Sequence, residues 1–172
     1  MNDSSTAPLA TPLLATKSRS AIGVALKYGL CFIVACGPIG GSWAGVVFER
    51  HSAYHHIQVV DEAGTRTLSF NGSRETKMLL KHPLQGHFEY TEYFHMPWLW
   101  NTNIQRVLMM GLGGGSAQRA FQHYYTNVFV DTVEIDPVVI DIAKRYFRVA
   151  ESSTHKIHNN DGRVFLRRVP KP

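Results

Sequence analysis

Between Arg106 and Asp136 the chain reads RVLMMGLGGGSAQRAFQHYYTNVFVDTVEID, and its glycines and one acid are spaced for nucleotide chemistry. Gly111, Gly113, Gly114 and Gly115 carry no Cβ, so their turn can take left-handed dihedrals and bring backbone N–H groups against a ligand. Glu134 follows about 20 residues later, the separation at which an acidic side chain accepts hydrogen bonds from ribose hydroxyls in doubly wound nucleotide folds. A glycine-rich turn alone can equally be a tight strand-to-helix connection. A second strand ending in an acid shifts the reading to nucleotide binding. It does not choose the nucleotide. The NAD fingerprint G-x-G-x-x-G needs a glycine where Ser116 stands, which leaves NAD and S-adenosylmethionine both open.

The elements that must hold these residues follow from patterning. Val107 to Met110 form an apolar run of a length that suits a buried parallel strand. Ser116 is expected to cap a helix whose apolar face carries Ala117, Ala120, Phe121 and Tyr124. Val128 to Val133 read as the second strand. Asp136-Pro137 starts a second helix, with the acid as cap and proline at the first helical position. Its stripe is Val139, Ile142, Ala143 and Tyr146, with Lys144 and Arg145 near the C-terminal end of the helix dipole. Lys156 to Asn159 is a weak third strand, followed by Asp161-Gly162-Arg163. Upstream, His56 to Val60 and Arg66 to Phe70 predict a hairpin with Gly64 in its turn, and Asn71-Gly72 is a second turn signal. A lone hairpin is marginal in water, so it must pack on another element or another chain. Phe88 to Leu99 predict a buried connecting helix limited by Pro97, and Asn101 to Asn103 a loop into the glycine-turn strand. The expected class is α/β: a small N-terminal β-hairpin module followed by the first half of a methyltransferase-like Rossmann fold. The expected segments are 1–48 signal-like, anchor-like or disordered, 49–75 hairpin module, 76–103 connecting helix and loop, and 104–172 partial Rossmann nucleoside-binding domain.

At 172 residues there is room for one ordinary domain. The net charge of +5 is scattered apart from Arg163, Arg167, Arg168 and Lys171, a pattern that calls for no nucleic-acid partner. Cys31 and Cys36, the only cysteines, lie together near the N-terminus and cannot staple the body of the protein. No Cys/His spacing resembles a metal site, and no metal is expected. Residues 1–20 have a composition that builds no core. From Gly29 to Phe48 there is no charge. Ser42-Trp43-Ala44 fits a signal cleavage before Gly45, Ile33 to Gly37 resembles a lipoprotein box centred on Cys36, and a membrane span is the third option, weakened by Pro38 and the glycines. Residues 21–48 would then contact a membrane. If residues 1–44 act as a signal the protein is exported or membrane-associated, and otherwise cytoplasmic.

Several of these segments together resemble one family. Ser52-x-Tyr54-His55-x-Ile57, Phe88-x-Tyr90-x-Glu92, Gly111-Leu112-Gly113-Gly114-Gly115-Ser116, Val133-Glu134-Ile135-Asp136 and Asp161-Gly162-Arg163 occur in the order seen in spermidine synthases, the polyamine aminopropyltransferases. The resemblance spans residues 49–168 and is closest to the bacterial spermidine-synthase-like branch. It implies a decarboxylated S-adenosylmethionine or methylthioadenosine-type ligand, a small-molecule polyamine substrate and a homo-oligomer in the full-length form. Glu134 would hold the ribose hydroxyls and Asp161 the adenine amino group, with the glycine turn approaching the sulfur-bearing chain. His55 would face the same ligand, and Tyr90 and Thr91 the amine substrate. The chain departs from the pattern at Gly114, where the family carries aspartate, at His55, where glutamine is common, and at Thr91, where glutamine or histidine stands. No residue matches the family's proton-accepting aspartate on a fourth strand, so no catalytic residue is assigned. The expectation is an inactive, poorly soluble fragment of an aminopropyl transfer enzyme acting on putrescine. The alternative is a non-catalytic S-adenosylmethionine- or methylthioadenosine-binding module, or a methyltransferase-like protein.

Overall fold

Four strands open the fold in the computed structural model, which describes residues 44–168. β1 (Gly45–His51), β2 (His56–Glu62), β3 (Thr65–Phe70) and β4 (Ser73–Leu79) form an antiparallel meander in that order. Ala63-Gly64 joins β2 to β3 with φ of 49° and 76°, and Asn71-Gly72 joins β3 to β4 with φ of 52° and 85°. Positive φ at both central positions is the hairpin geometry whose twist matches that of the strands. The expected hairpin is thus the centre of a larger sheet. β1 begins at Gly45, inside the segment assigned to a leader, because Val46 to Phe48 are β-formers that pair with β2. β4 runs past residue 75 and was hidden by its polar outer positions, only Thr76 and Met78 being buried.

The pairing of β3 with β4 is irregular at one point. Leu68 of β3 opposes Thr76, whereas Ser69 opposes Arg74, so Glu75 is the extra residue of a β-bulge. The sheet's inner residues Ile57, Val59, Leu68 and Met78 share a hydrophobic cluster with Val139, Ile142, Ala143 and Phe147 of the second half. Arg66 reinforces the contact: its fork donates to both oxygens of Asp61, at 2.7 and 2.6 Å, and to the Tyr146 carbonyl at 2.7 Å.

Residues Glu89–Leu99 form a 3₁₀ helix rather than the expected buried helix. Only Thr91 is buried, while Tyr93, Leu99 and Trp100 are exposed. With three residues per turn, Tyr90, Tyr93, Met96 and Leu99 line up on one face, and that face is exposed. Trp98 is the anchor, stacked on Tyr125 at 4.0 Å and edge-on to Phe121.

The second half alternates β5 (Arg106–Met110), α1 (Ser116–Tyr124), β6 (Phe129–Glu134), α2 (Pro137–Tyr146), β7 (His155–Asn159) and α3 (Gly162–Arg168). Its sheet is parallel, with order β5-β6-β7. The molecule is therefore of the mixed α/β class, an antiparallel module followed by a Rossmann-like half. Asp136 caps α2 as expected, accepting from the Val138 N–H at 2.9 Å with Pro137 at the first helical position. Ser116 does not cap α1: it is the first helical residue, and left-handed Gly115 takes the cap position without a side-chain bond. Tyr124 is exposed, and the buried face is instead Ala117, Gln118, Arg119 and Phe121. The polar pair is buried because both side chains reach backbone carbonyls. Among the described residues β5 pairs only with β6, and Leu108 and Met110 are partly exposed.

The readings placed on residues 1–43, Cys31 and Cys36 included, lie outside the described residues. No described helix is long and apolar enough to cross a membrane.

Candidate functional site

A cleft of about 710 Å³ opens where the glycine turn, the 3₁₀ helix and β4 meet. It lies at the carboxyl end of β5, the usual ligand position in an open α/β sheet. Gly111 turns the chain with φ of 90° and donates its N–H to the Val133 carbonyl at 2.8 Å, which ties the turn to β6. Gly113, at φ 53°, continues the turn along the cleft wall. Glu134, almost fully buried, ends β6 beside it. Its Oε2 accepts from the Leu112 N–H at 2.8 Å and its Oε1 from the Asp136 N–H at 2.9 Å. A carboxylate oxygen has two lone pairs, so each keeps one acceptor position after these bonds. The backbone thus holds Glu134 in a fixed pose at the cleft wall.

The other two glycines do not line the cleft. The Gly114 N–H donates to Thr76 Oγ1 at 2.9 Å, and a Cβ at 114 would stand 2.6 Å from the Thr76 methyl. A Cβ at Gly115 would meet a Val149 methyl at 2.3 Å. Both positions need glycine so that the turn can pack against β4 and the segment after α2. Arg119 completes this support. Its guanidinium donates to the carbonyls of Gly114 (2.5 Å), Phe147 (2.8 Å) and Pro83 (3.3 Å) and to Ser116 Oγ. Burial, with a smaller contribution from the charge of Arg148, pulls its pKa down to about 10.

Tyr90 and Thr91 both border the cleft. The Tyr90 hydroxyl donates to the Glu75 carbonyl at 2.9 Å, and burial together with the Glu75 charge raises its pKa. Thr91 Oγ1 donates to the Phe88 carbonyl at 2.8 Å and so serves the start of the 3₁₀ helix. His55 stands one ring behind the wall, stacked at 4.6 Å on Phe70, which does line the cleft. Asp161 follows β7, and its Oδ1 accepts from the N–H groups of Arg163 and Val164, capping α3 outside the cleft. The site therefore gathers Gly111, Gly113, Glu134, Tyr90 and Thr91 directly, and His55, Gly114, Gly115 and Asp161 around it. The sequence patterns did not reveal Glu75, Thr76, Gln118 or Arg119. A strand with a bulge and a helix with a buried polar face carry no periodic signal. Among the described residues no group of three or more His, Cys, Asp or Glu side chains could hold a metal ion.

Residues 87–171 match the model of the spermine/spermidine synthase domain. The chain is 35% identical over 145 residues to the polyamine aminopropyltransferase of Vibrio vulnificus, covering 81% of this chain and 48% of that protein. It thus spans about half the length of the curated relatives it matches. Two structures superpose with a TM-score of 0.60 at 20% identity, covering 71% of this chain and 42% of theirs. One is the spermidine synthase of Thermotoga maritima, and the other a spermidine synthase in complex with the transition-state analogue AdoDATO. With a matching domain over residues 87–171, a curated relative aligned along 81% of this chain and the same fold, the chain is similar to the spermidine synthases.

Proposed function

We propose that the cleft binds the nucleoside of decarboxylated S-adenosylmethionine or methylthioadenosine, and that the full-length form transfers an aminopropyl group to putrescine. The observation that carries this reading is Glu134. Its two carboxylate oxygens are aimed by backbone N–H groups, and each keeps a lone pair for one of two adjacent ribose hydroxyls. The glycine turn brings the backbone close to where the sulfur-bearing chain would run, and Asp161 stands beyond β7 for the adenine amino group. In the proposed transfer the amine nitrogen attacks the methylene carbon on the sulfonium. The carbon–sulfur bond breaks, its electron pair neutralises the sulfur to leave methylthioadenosine, and the amine loses a proton. Binding is the part proposed for this chain alone.

A second reading, a non-catalytic module for the same nucleosides, is favoured by Gly114, which offers no carboxylate at the turn. The two readings share the first test. Methylthioadenosine, decarboxylated S-adenosylmethionine and NAD are titrated calorimetrically into the 172-residue chain and its Glu134→Ala variant. Micromolar binding of the adenosyl thioether or sulfonium, lost in the variant, supports the nucleoside site. Preference for NAD, or no binding by a folded chain, refutes it. Turnover of putrescine with the sulfonium donor by the full-length form then separates the enzyme from the binding module.

A further inference from the structure

The bulge in β4 places an acidic residue at the cleft wall that neither the glycine turn nor the strand pattern announces. Successive residues of a regular strand face opposite sides, yet Glu75 and Thr76 both line the cleft. The extra residue of the bulge re-aims them. The same irregularity lets the Glu75 carbonyl accept the Tyr90 hydroxyl at 2.9 Å, which pins the 3₁₀ helix against β4 at this point. Thr76, meanwhile, fills the space that a side chain at position 114 would need. An acid cannot enter the cleft from the turn, and the residue before Thr76 in β4 supplies one.

The charge balance of the cleft is one-sided. Among the described residues Glu75 and Glu134 line it, and no Lys, Arg or His does, in a chain whose net charge is +5. Glu134 is engaged by two backbone N–H groups. The Glu75 carboxylate makes no hydrogen bond or ion pair with any described residue. Its charge reaches Tyr90, whose ionisation it opposes. Tyr90 and Phe94, edge to face at 6.4 Å, wall the same side of the cleft. A free carboxylate beside aromatic rings is an arrangement that attracts organic cations and rejects anions.

We infer that Glu75 is the counter-ion of a primary alkylammonium group bound in this cleft, with Tyr90 and Phe94 as its aromatic wall. This rests on the nucleoside reading above and names its missing amine contact. The ammonium belongs either to the aminopropyl arm of the donor or to a diamine acceptor, which share this chemistry.

Three ligands separate these sources: methylthioadenosine, which has no ammonium, decarboxylated S-adenosylmethionine, and putrescine added to chain saturated with methylthioadenosine. Affinities are measured for the 172-residue chain, for Glu75→Gln, which keeps the shape, and for Glu75→Lys, which reverses the charge. Glu75→Gln is expected to weaken one ammonium-bearing ligand by about ten- to hundredfold, the size of a lost hydrogen bond to a charged group. Methylthioadenosine affinity stays unchanged, and Glu75→Lys weakens the ammonium ligand further. The ligand that responds identifies the source. Methylthioadenosine binding with equal responses of all three ligands, or with none, overturns the inference and leaves the nucleoside site standing. Failure of the wild-type chain to bind methylthioadenosine overturns the nucleoside reading and this inference with it.

Discussion

Gly114→Ala should destabilise the fold although the backbone there permits any residue. Gly114 does not have the positive φ of its neighbours Gly113 and Gly115, so strain is not the reason. The new methyl would stand 2.6 Å from Thr76 Cγ2, 2.8 Å from its Cβ and 3.0 Å from its Oγ1, where carbon contacts normally lie at about 3.5–4.0 Å. Thr76 is buried and β-branched, so it cannot swing aside at low cost. Overpacking of this kind costs about 1–3 kcal/mol, and pushing Thr76 away also strands the Gly114 N–H, for about 1–3 kcal/mol more. A total of about 2–4 kcal/mol is expected, since relaxing one penalty increases the other. Urea denaturation followed by tryptophan fluorescence gives the number. Thr76→Gly removes all three clashing atoms, so the double variant should be less destabilised than the sum of the single ones by at least about 1 kcal/mol. A Gly114→Ala variant within about 0.5 kcal/mol of wild type, or an additive cycle, would refute this account of the turn. Gly114→Asp should be destabilising for the same reason, and should gain no amine affinity while Thr76 is present.

Other consequences can be tested separately. Asp136→Ala removes the cap of α2 and should cost about 1 kcal/mol in chemical denaturation. The loss is limited because the buried Asp136 Oδ2 has no partner among the described residues, and a more stable variant would show that this oxygen outweighs the cap. His155 is buried with Nε2 unpartnered, and burial lowers its pKa. The unfolded chain therefore takes up the proton first as pH falls. The resulting loss of stability begins as pH drops through the ordinary histidine range near 6.5 and is complete below the depressed folded value. Melting curves between pH 7.5 and 5 should show a shallower loss in His155→Gln, and parallel curves would contradict it. The edge of β5 that no described strand covers should make the chain self-associate, seen as a sedimentation coefficient rising with concentration. A monodisperse monomer at all concentrations would argue against an adhesive edge.

What could be read in advance divides along a physical line. The parallel strands, the Asp136-Pro137 helix start and the Glu134 spacing were legible because each depends on local residue type and short periodicity. The hairpin turns were legible for the same reason, since Gly64 and Asn71-Gly72 take the positive φ that few residues tolerate. β4 gives no strand signal because five of its seven residues are charged or polar and its register is broken at Glu75. The connecting segment differs from expectation because aromatic density does not say which face is covered: Tyr90, Tyr93, Met96 and Leu99 share an exposed face of the 3₁₀ helix. Ser116 is a capping residue by type, but the left-handed turn at Gly115 sets the helix start one residue too early for it. Thr76, Arg119 and the Glu75 carbonyl belong to contacts between segments about 5 to 40 residues apart, and no pattern within one segment encodes those.

The most direct test of the nucleoside site compares methylthioadenosine with its 2′,3′-dideoxy analogue in the wild-type chain and in Glu134→Gln, which keeps one acceptor for the turn. If Glu134 holds the ribose, losing the hydroxyls weakens wild-type binding by about tenfold or more and weakens the variant much less, because hydrogen bonds to a charged group contribute about 1.5–3 kcal/mol. An equal loss in both proteins would mean that Glu134 serves only to brace the turn.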